Sequence, residues 1–316
     1  MRFQSCFAFA CFWTCLGLAG CDREQPLVQV KVTQVHMGMA VDLVVWAPDT
    51  KAGQQACSAA FSRIGQLNLM LSDYEPDSEL SRLCRQASQG PVKVSRELFT
   101  VLSAAQEMAR LTDGHYDVTV GPVIRLWRQA RRDHALPDPP ALTRALAWVG
   151  FDKMRLDPDA QTVSLAESGM ALDLGSIAKG YIGDEAIATL RALGFPRAAF
   201  IAGGDMVFGD PPSGAKGWPV KPARPGMPVL ELANGAFSVS GDTQQFVEMA
   251  GRRYSHVIDA RTGQALTGRR MCIVWAARGL ESDPLSTVGT ILPQAEFNRL
   301  AHQRFPKAKT WVFTAE

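Results

Sequence analysis

The sequence lacks a surplus of either charge. Its 33 Lys and Arg residues face 31 Asp and Glu, for a formal net charge of +2. That balance argues against a nucleic-acid binder driven by a broad electrostatic field. A local basic stretch, Arg125, Arg128, Arg131 and Arg132, reads as a solvated helix face or as a contact for anionic lipid or an anionic partner. Cysteine is scarce where it would matter. Four of the seven cysteines fall within the first 21 residues, which leaves Cys57, Cys84 and Cys272. Three is an odd number for a disulfide framework, and 316 residues bury a large core without staples. Inert thiols and one disulfide both fit, and sequence does not pair them. No Cys/His cluster has zinc spacing, and no internal repeat is visible.

The N-terminus carries one early positive charge, Arg2, followed by an uncharged run rich in Phe, Ala and Leu up to Gly20. The run is short for a membrane span and right for a signal-peptide core. Leu18-Ala19-Gly20-Cys21 resembles the lipobox of bacterial lipoproteins. The expectation is a signal peptide over 1–20, cleavage before Cys21, lipid on the Cys21 sulfur and a tether over 21–27. Asp22 fits retention at the inner membrane, so the expected location is lipid-anchored to that membrane and facing the periplasm.

Further along, Val28, Val30 and Val32 alternate with polar residues, as do Val41, Leu43 and Val45. They predict two strands paired across a turn at Met37-Gly38. Helical spacing predicts a helix over about Ala52 to Leu71 and a second over 98–111 with Ser95 as cap. Pro137, Pro139 and Pro140 read as a break into a loop. A third helix carries Ile182, Ala186, Leu190 and Leu193, with Gly194 and Pro196 as stop signals. Beyond it, the apolar runs Ala198–Ala202, Gly235–Val239, Met271–Trp275 and Trp311–Thr314 read as strands, and Pro211–Gly226 as an exposed excursion. Early helices and late strands predict an α+β fold, with one catalytic unit over 28–316.

Several segments carry chemistry. Asp173-Leu174-Gly175-Ser176-Ile177-Ala178-Lys179-Gly180-Tyr181 joins an apolar strand end to the third helix. A helix N-terminus offers unpaired N–H groups to an anion, and Lys179 can reach a diphosphate; alone, the segment reads equally as an ordinary junction. Gly203-Gly204-Asp205 and Ser240-Gly241-Asp242 are tight strand exits, each of which reads as a simple turn. His256, followed closely by Asp259, is a general-base candidate or a structural histidine before a turn. Asp283 and Thr287, four apart, face one way on a helical turn and offer two hard oxygens suited to magnesium, or simply start a helix.

The order and spacing of these segments resemble the ApbE family, the FAD:protein FMN transferases. Met37-Gly38-Met39 is similar to the family's Met-Gly-Thr. Leu71-Ser72-Asp73-Tyr74, followed by Ser78-Glu79-Leu80-Ser81-Arg82-Leu83, resembles its Met-Ser-x-Tyr…Ser-Glu-Ile segment, with Cys84 in place of the usual Asn. Tyr116 to Pro122, then Trp127, resembles Phe-Asp-x-Thr-x-Gly-Pro…Trp. Asp173–Tyr181 resembles Asp-Leu-Gly-Gly-Ile-Ala-Lys-Gly-Tyr with Ser176 for the second Gly. His256–Gly263 resembles His-Ile-Ile-Asp-Pro-Arg-Thr-Gly with Ala260 for Pro, and Asp283–Thr287 resembles Asp-Ala-Leu-Ser-Thr with Pro284 for Ala. Pro284 suits a first helical turn.

The resemblance implies an α+β fold of mixed sheets packed with helices, in two lobes around a flavin cleft. It implies that FAD, as substrate, is lined by Met37, Ser72, Asp73, Tyr74, Tyr116, Asp117, Val118, Asp173 and Lys179. Mg2+ is expected on Asp283, Thr287 and the carbonyl of Ala178. His256 is expected beside the reacting phosphate as the catalytic base, a task Asp259 or Asp242 can share. The implied reaction moves FMN from FAD to a Thr or Ser hydroxyl in a Ser/Thr-Gly-Ala-Thr-like motif of membrane redox subunits, releasing AMP. Hydrolysis of FAD to FMN and AMP, and FAD binding without chemistry, are the alternatives that sequence leaves open.

Overall fold

A computed structural model describes residues 26–241 and 246–314. The signal-peptide and lipid-anchor expectations for 1–20 and Cys21, and Asp242, lie outside the described residues. A seven-stranded sheet forms the frame. Its strands are β1 (Val28–His36), β2 (Met39–Ala47), β3 (Ala198–Ala202), β4 (Asp205–Phe208), β5 (Gly235–Gly241), β6 (Arg270–Ala276) and β7 (Lys309–Thr314). They lie side by side in chain order, and every pair is antiparallel. The β1–β2 hairpin closes through Met37 and Gly38, whose φ values of 53° and 72° give the left-handed two-residue turn that matches strand twist.

Eight helices are described: α1 (Thr50–Leu71), α2 (Glu79–Gln86), α3 (Arg96–Leu111), α4 (Gly121–Asp133), α5 (Pro139–Leu146), α6 (Ala178–Ala192), α7 (Gly279–Ile291) and α8 (Gln294–Arg304). Asp49 caps α1 by accepting from the Ala52 amide at 2.8 Å, and Ser95 caps α3 through the Leu98 amide at 3.1 Å, as its sequence predicts. α1, α6 and α7 cover one face of the sheet. There Val41, Leu43, Val45, Ala198, Phe200, Ala202, Cys272 and Val274 join the main core. The alternate residues Val44, Ala199, Met271 and Ile273 face a second cluster with Trp218, Val220 and Leu232. Burial on both faces explains why β3 and β6 read as continuous apolar runs.

Three expectations are corrected here. The prolines at 137–140 do not leave a loop: Asp138 accepts from the Ala141 amide at 3.0 Å, and Pro139 starts α5, where its missing N–H costs no helical bond. Pro211–Gly226 is only partly an exposed excursion, because Trp218 and Val220 pair with Leu232 and Leu230 and roof the sheet. Pro284 sits inside α7 beyond its first turn, so it removes an intrahelical donor there.

α4 and α5 pack on the short hairpins Phe246–Met249/Arg252–Ser255 and Ile258–Asp259/Gln264–Ala265 around a separate apolar cluster that includes Val123, Trp127, Leu142 and Ile258. The Trp127 indole N–H donates to the Gly263 carbonyl at 2.8 Å and fixes this lobe internally. The two cores meet along a polar seam. Cys57, Cys84 and Cys272 are free thiols, and burial pushes Cys57 up to about 11 and Cys272 to about 12, so both are inert.

Candidate functional site

One side of the site is built where α6 and α7, both on the main core, touch. At Gly180 a Cβ would fall 2.0 Å from the Gly279 carbonyl oxygen, and at Gly279 one would fall 2.1 Å from the Gly180 oxygen. Only glycine permits this backbone approach. It lets the helices exchange carboxylates. Asp184 of α6 accepts from the Gly279 and Leu280 amides at 2.6 and 3.0 Å, and Asp283 of α7 accepts from the Gly180 amide at 3.0 Å. Each acid sits four residues after its glycine and satisfies N–H groups in the other helix's first turn. Burial raises Asp184 to about 6, partly offset by those two amides.

Asp283 is therefore buried and aimed at the start of α6. Its other oxygen lies 3.5 Å from Lys179 Nζ, which pairs with Asp205 at 3.0 Å and donates to the Gly175 carbonyl at 3.1 Å. Burial and then Asp205 push Asp283 up to about 7, while Lys179 and the Gly180 amide oppose them. Burial alone would depress Lys179, but the two carboxylates outweigh it and hold the ammonium. One turn after Asp283, the Thr287 hydroxyl meets Ser240 Oγ at 3.2 Å, and Ser240 also meets Ser286 at 2.9 Å. Two buried carboxylates, three hydroxyls and one ammonium make a net negative cluster whose donors to a cation are all oxygen. That chemistry fits a hard divalent cation which completes its shell with water or phosphate.

A second node lies beside the first. The Asp173 amide donates to the Val118 carbonyl at 2.8 Å, which fixes the loop ahead of α6 against the segment entering α4. Asp173 Oδ1 accepts from the Gly175 amide at 2.9 Å, and Oδ2 takes a 2.6 Å bond from Arg128. Arg128 also pairs with Asp73 and stacks over the Tyr74 ring, 4.2 Å from its centroid. Burial raises Asp173, the nearby Asp73 adds to this, and Arg128 opposes both. Tyr116 Oη lies 3.1 Å from Ser176 Oγ and is buried.

Of the sequence-predicted residues, Asp73, Tyr74, Asp173, Lys179 and Asp283 fall along this one strip, with Thr287 tied to it by donating to the Asp283 carbonyl at 3.4 Å. Ala178 opens α6 beside Lys179. Ser72 shapes the Tyr74 turn by accepting from the Tyr74 and Glu75 amides at 3.2 and 3.3 Å. Met37 supplies the hairpin turn and packs on the main core. Val118 is buried in that core. The Asp117 carboxylate is taken up by Thr119, whose amide and hydroxyl both donate to Oδ1 at 2.8 Å, and burial raises it to about 6. His256 is half-buried in the link between the Arg252–Ser255 and Ile258–Asp259 strands. Arg131, one turn after Arg128 on α4, donates to the Ser255 carbonyl just before it at 3.1 Å.

Sequence reasoning missed three participants. Arg128 was one of a basic run, and nothing in its spacing separates it from Arg125 or Arg132. Asp205 and Ser240 read as turn residues in the sequence; their signal is a polar side chain near a strand end, Asp205 opening β4 and Ser240 next to last in β5.

Fold and site together define an α+β protein with a lysine-bearing helix start beside a buried oxygen cluster, a pairing suited to an anionic phosphate substrate. The chain belongs to the ApbE family, whose model matches residues 37–311. It is 30% identical over 309 residues to the FAD:protein FMN transferase of Haemophilus influenzae, covering 90% of this chain and 88% of that one. It is 32% identical over 301 residues to the FAD:protein FMN transferase of Treponema pallidum, covering 87% and 82%. Among solved structures, a mutant of the flavin transferase ApbE from Vibrio cholerae superposes with a TM-score of 0.80 at 26% identity, covering 92% of this chain and 94% of that one. The ApbE protein of Thermotoga maritima matches with the same TM-score at 25% identity, covering 91% and 94%.

Proposed function

We propose that this protein transfers FMN from FAD to a Thr or Ser hydroxyl of a target redox protein, releasing AMP. The observation that carries the reading is the Lys179–Asp205–Asp283 cluster at the start of α6, in a chain whose relatives bear the name of that activity. The acceptor oxygen forms a bond to the FMN phosphorus, the phosphoanhydride bond to AMP breaks, and the hydroxyl proton leaves to a base. Transfer at phosphorus depends mostly on positioning and charge neutralisation. Lys179 binds and orients the diphosphate, while Asp283 holds the Gly180 amide that opens α6. His256 accepts the proton, with Asp259 close behind it in sequence. Asp283, Thr287 and the Ala178 carbonyl, helped by Asp205 and Ser240, would hold Mg2+. When bound, the ion supplies charge withdrawal from the phosphate oxygens.

The acceptor is a membrane redox subunit with a Ser/Thr-Gly-Ala-Thr-like motif, and the enzyme is lipid-anchored through Cys21 to the inner membrane, facing the periplasm. Anchoring both partners to one surface raises their effective concentration. Incubation with FAD, Mg2+ and a motif-bearing protein tests the reading. A flavin-fluorescent band that survives denaturation is expected. Free FMN and AMP without a labelled band would identify a pyrophosphatase, and intact FAD would identify a binding protein. Radiolabelled palmitate incorporated in cells, and lost in Cys21→Ala, tests the anchor.

A further inference from the structure

The first turns of α6 and α7 both lack a cap of their own. Ile177 precedes one and Arg278 the other, and neither side chain accepts from the amides that follow. Each helix start is closed from the other helix instead. Asp283 accepts from the Gly180 amide with one oxygen, and Asp184 accepts from the Gly279 and Leu280 amides with one oxygen each. The two acids stand in matching places, four residues after their glycines, yet they do unlike work. Asp283 has its second oxygen turned to Lys179 at 3.5 Å, in the cluster suited to a cation. Asp184 spends both oxygens on α7. That helix also has less of its own to hold it. Pro284 has no N–H for the Leu280 carbonyl, so the backbone that carries Asp283 lacks one helical bond.

We infer that Asp184 is a positioning residue for Asp283: by capping α7 from α6 it fixes the start of α7 and so the aim of the Asp283 carboxylate. The inference deepens the functional reading above and rests on it for the cation. The route is short. Asp184 holds the Gly279 amide, the Gly279 and Gly180 backbones are in contact, and the Gly180 amide is held by Asp283. These four residues close a ring across the two helices, so slack at one corner reaches the opposite one. Asp184 also lines a cavity of about 530 Å3, together with Arg63 and Arg278, that is bordered by none of Lys179, Asp205 and Asp283. It therefore acts from behind the cluster, without touching what the cluster binds.

Amide hydrogen exchange in the metal-free protein tests this without turnover. Asp184→Ala should speed exchange at Gly279 and Leu280, which lose their acceptor, and by about tenfold at Gly180, whose acceptor is Asp283. Asp184→Asn keeps one acceptor oxygen and should show a smaller change of the same sign. Gln106→Ala is the control. It removes a buried side chain that donates to the Phe151 and Met154 carbonyls, so it should lower the melting temperature and leave Gly180 protection alone. A merely structural Asp184 would behave like that control. In transfer assays, half-saturating Mg2+ should rise about tenfold in Asp184→Ala and less in Asp184→Asn. Pro284→Ala, added to Asp184→Ala, returns the missing donor and should recover part of the loss. Wild-type protection at Gly180 in either folded Asp184 variant overturns the inference. A wild-type protein that shows neither transfer nor a response to Mg2+ overturns the functional reading instead.

Discussion

Gly180→Ala is the sharpest test of how the site is held. The added methyl would lie 2.0 Å from the Gly279 carbonyl oxygen, 2.4 Å from its carbon and 2.9 Å from Asp283 Cβ. Ordinary contact begins near 3.4 Å, so α6 and α7 must part by more than an ångström. The obstacle is backbone, which has no rotamer to turn aside. Overpacking of this kind costs about 1–3 kcal/mol, and a backbone clash belongs at the upper end. At roughly 2–4 °C per kcal/mol for a chain of this size, the melting temperature should fall by about 6–12 °C. Parting the helices also stretches the Gly180–Asp283 and Asp184–Gly279 bonds, so FAD affinity and transfer should fall together. Gly268→Ala is the control: nothing lies within 4 Å of its added carbon, and it should melt within about 1 °C of wild type. Differential scanning calorimetry with flavin titration reads both effects. A Gly180→Ala protein that melts with the wild type and binds FAD normally would refute the close-approach argument.

Other substitutions separate the roles of single residues. His256→Ala should keep FAD binding and lose transfer by roughly a hundredfold to ten-thousandfold, the usual worth of a general base; wild-type turnover in single-turnover assays would remove His256 from the mechanism. Asp283→Ala should weaken FAD binding and Mg2+ dependence together, so an unchanged metal titration counts against that ligand. Asp117 tests pH linkage. Its folded pKa, about 6, lies above the unfolded value of 3.8, so its contribution is fully present below about pH 4 and is lost as pH rises through 6. Asp117→Asn keeps an oxygen for both Thr119 bonds and removes the buried charge. Relative to wild type it should gain on the order of 2–3 kcal/mol between pH 4 and 7 in urea unfolding; a difference that does not vary with pH would contradict the buried-charge account.

The frame was legible because its physics is local. Alternation gave β1 and β2, 3.6-residue spacing gave α1 and α3, and Ser95 announced a cap that the structure contains. The strands of the second half were visible as apolar runs, though their covering on both faces was not. What escaped was decided at long range. Proline opens α5 because Asp138 precedes it, and the same residue type inside α7 survives because packing outweighs one lost bond. The candidate site divides in the same way. Asp173, Lys179 and Asp283 stood out by motif, whereas Asp205 joins them only because the β3–β4 turn brings it against α6.

Arg128 shows why such a site lies between two cores. A cleft for a charged dinucleotide needs buried carboxylates and an ammonium, and neither apolar cluster can contain them without unpaired charge. At the boundary, each charge can take partners from both sides. α4 presents Trp127 inward to its own cluster and, at the next position, Arg128 outward to Asp73 and Asp173 of the main body. One turn later Arg131 reaches the carbonyl before His256. A single helix thus ties the Tyr74 turn, the loop before α6 and the histidine link to one rigid element. Losing Arg128 should therefore leave Asp173 buried beside Asp73 without its cation, so Arg128→Ala should cost more stability at pH 7 than Arg128→Lys, and the gap should narrow as acid protonates the pair. Equal melting temperatures for the two variants across pH 4–8 would mean that the seam is held elsewhere.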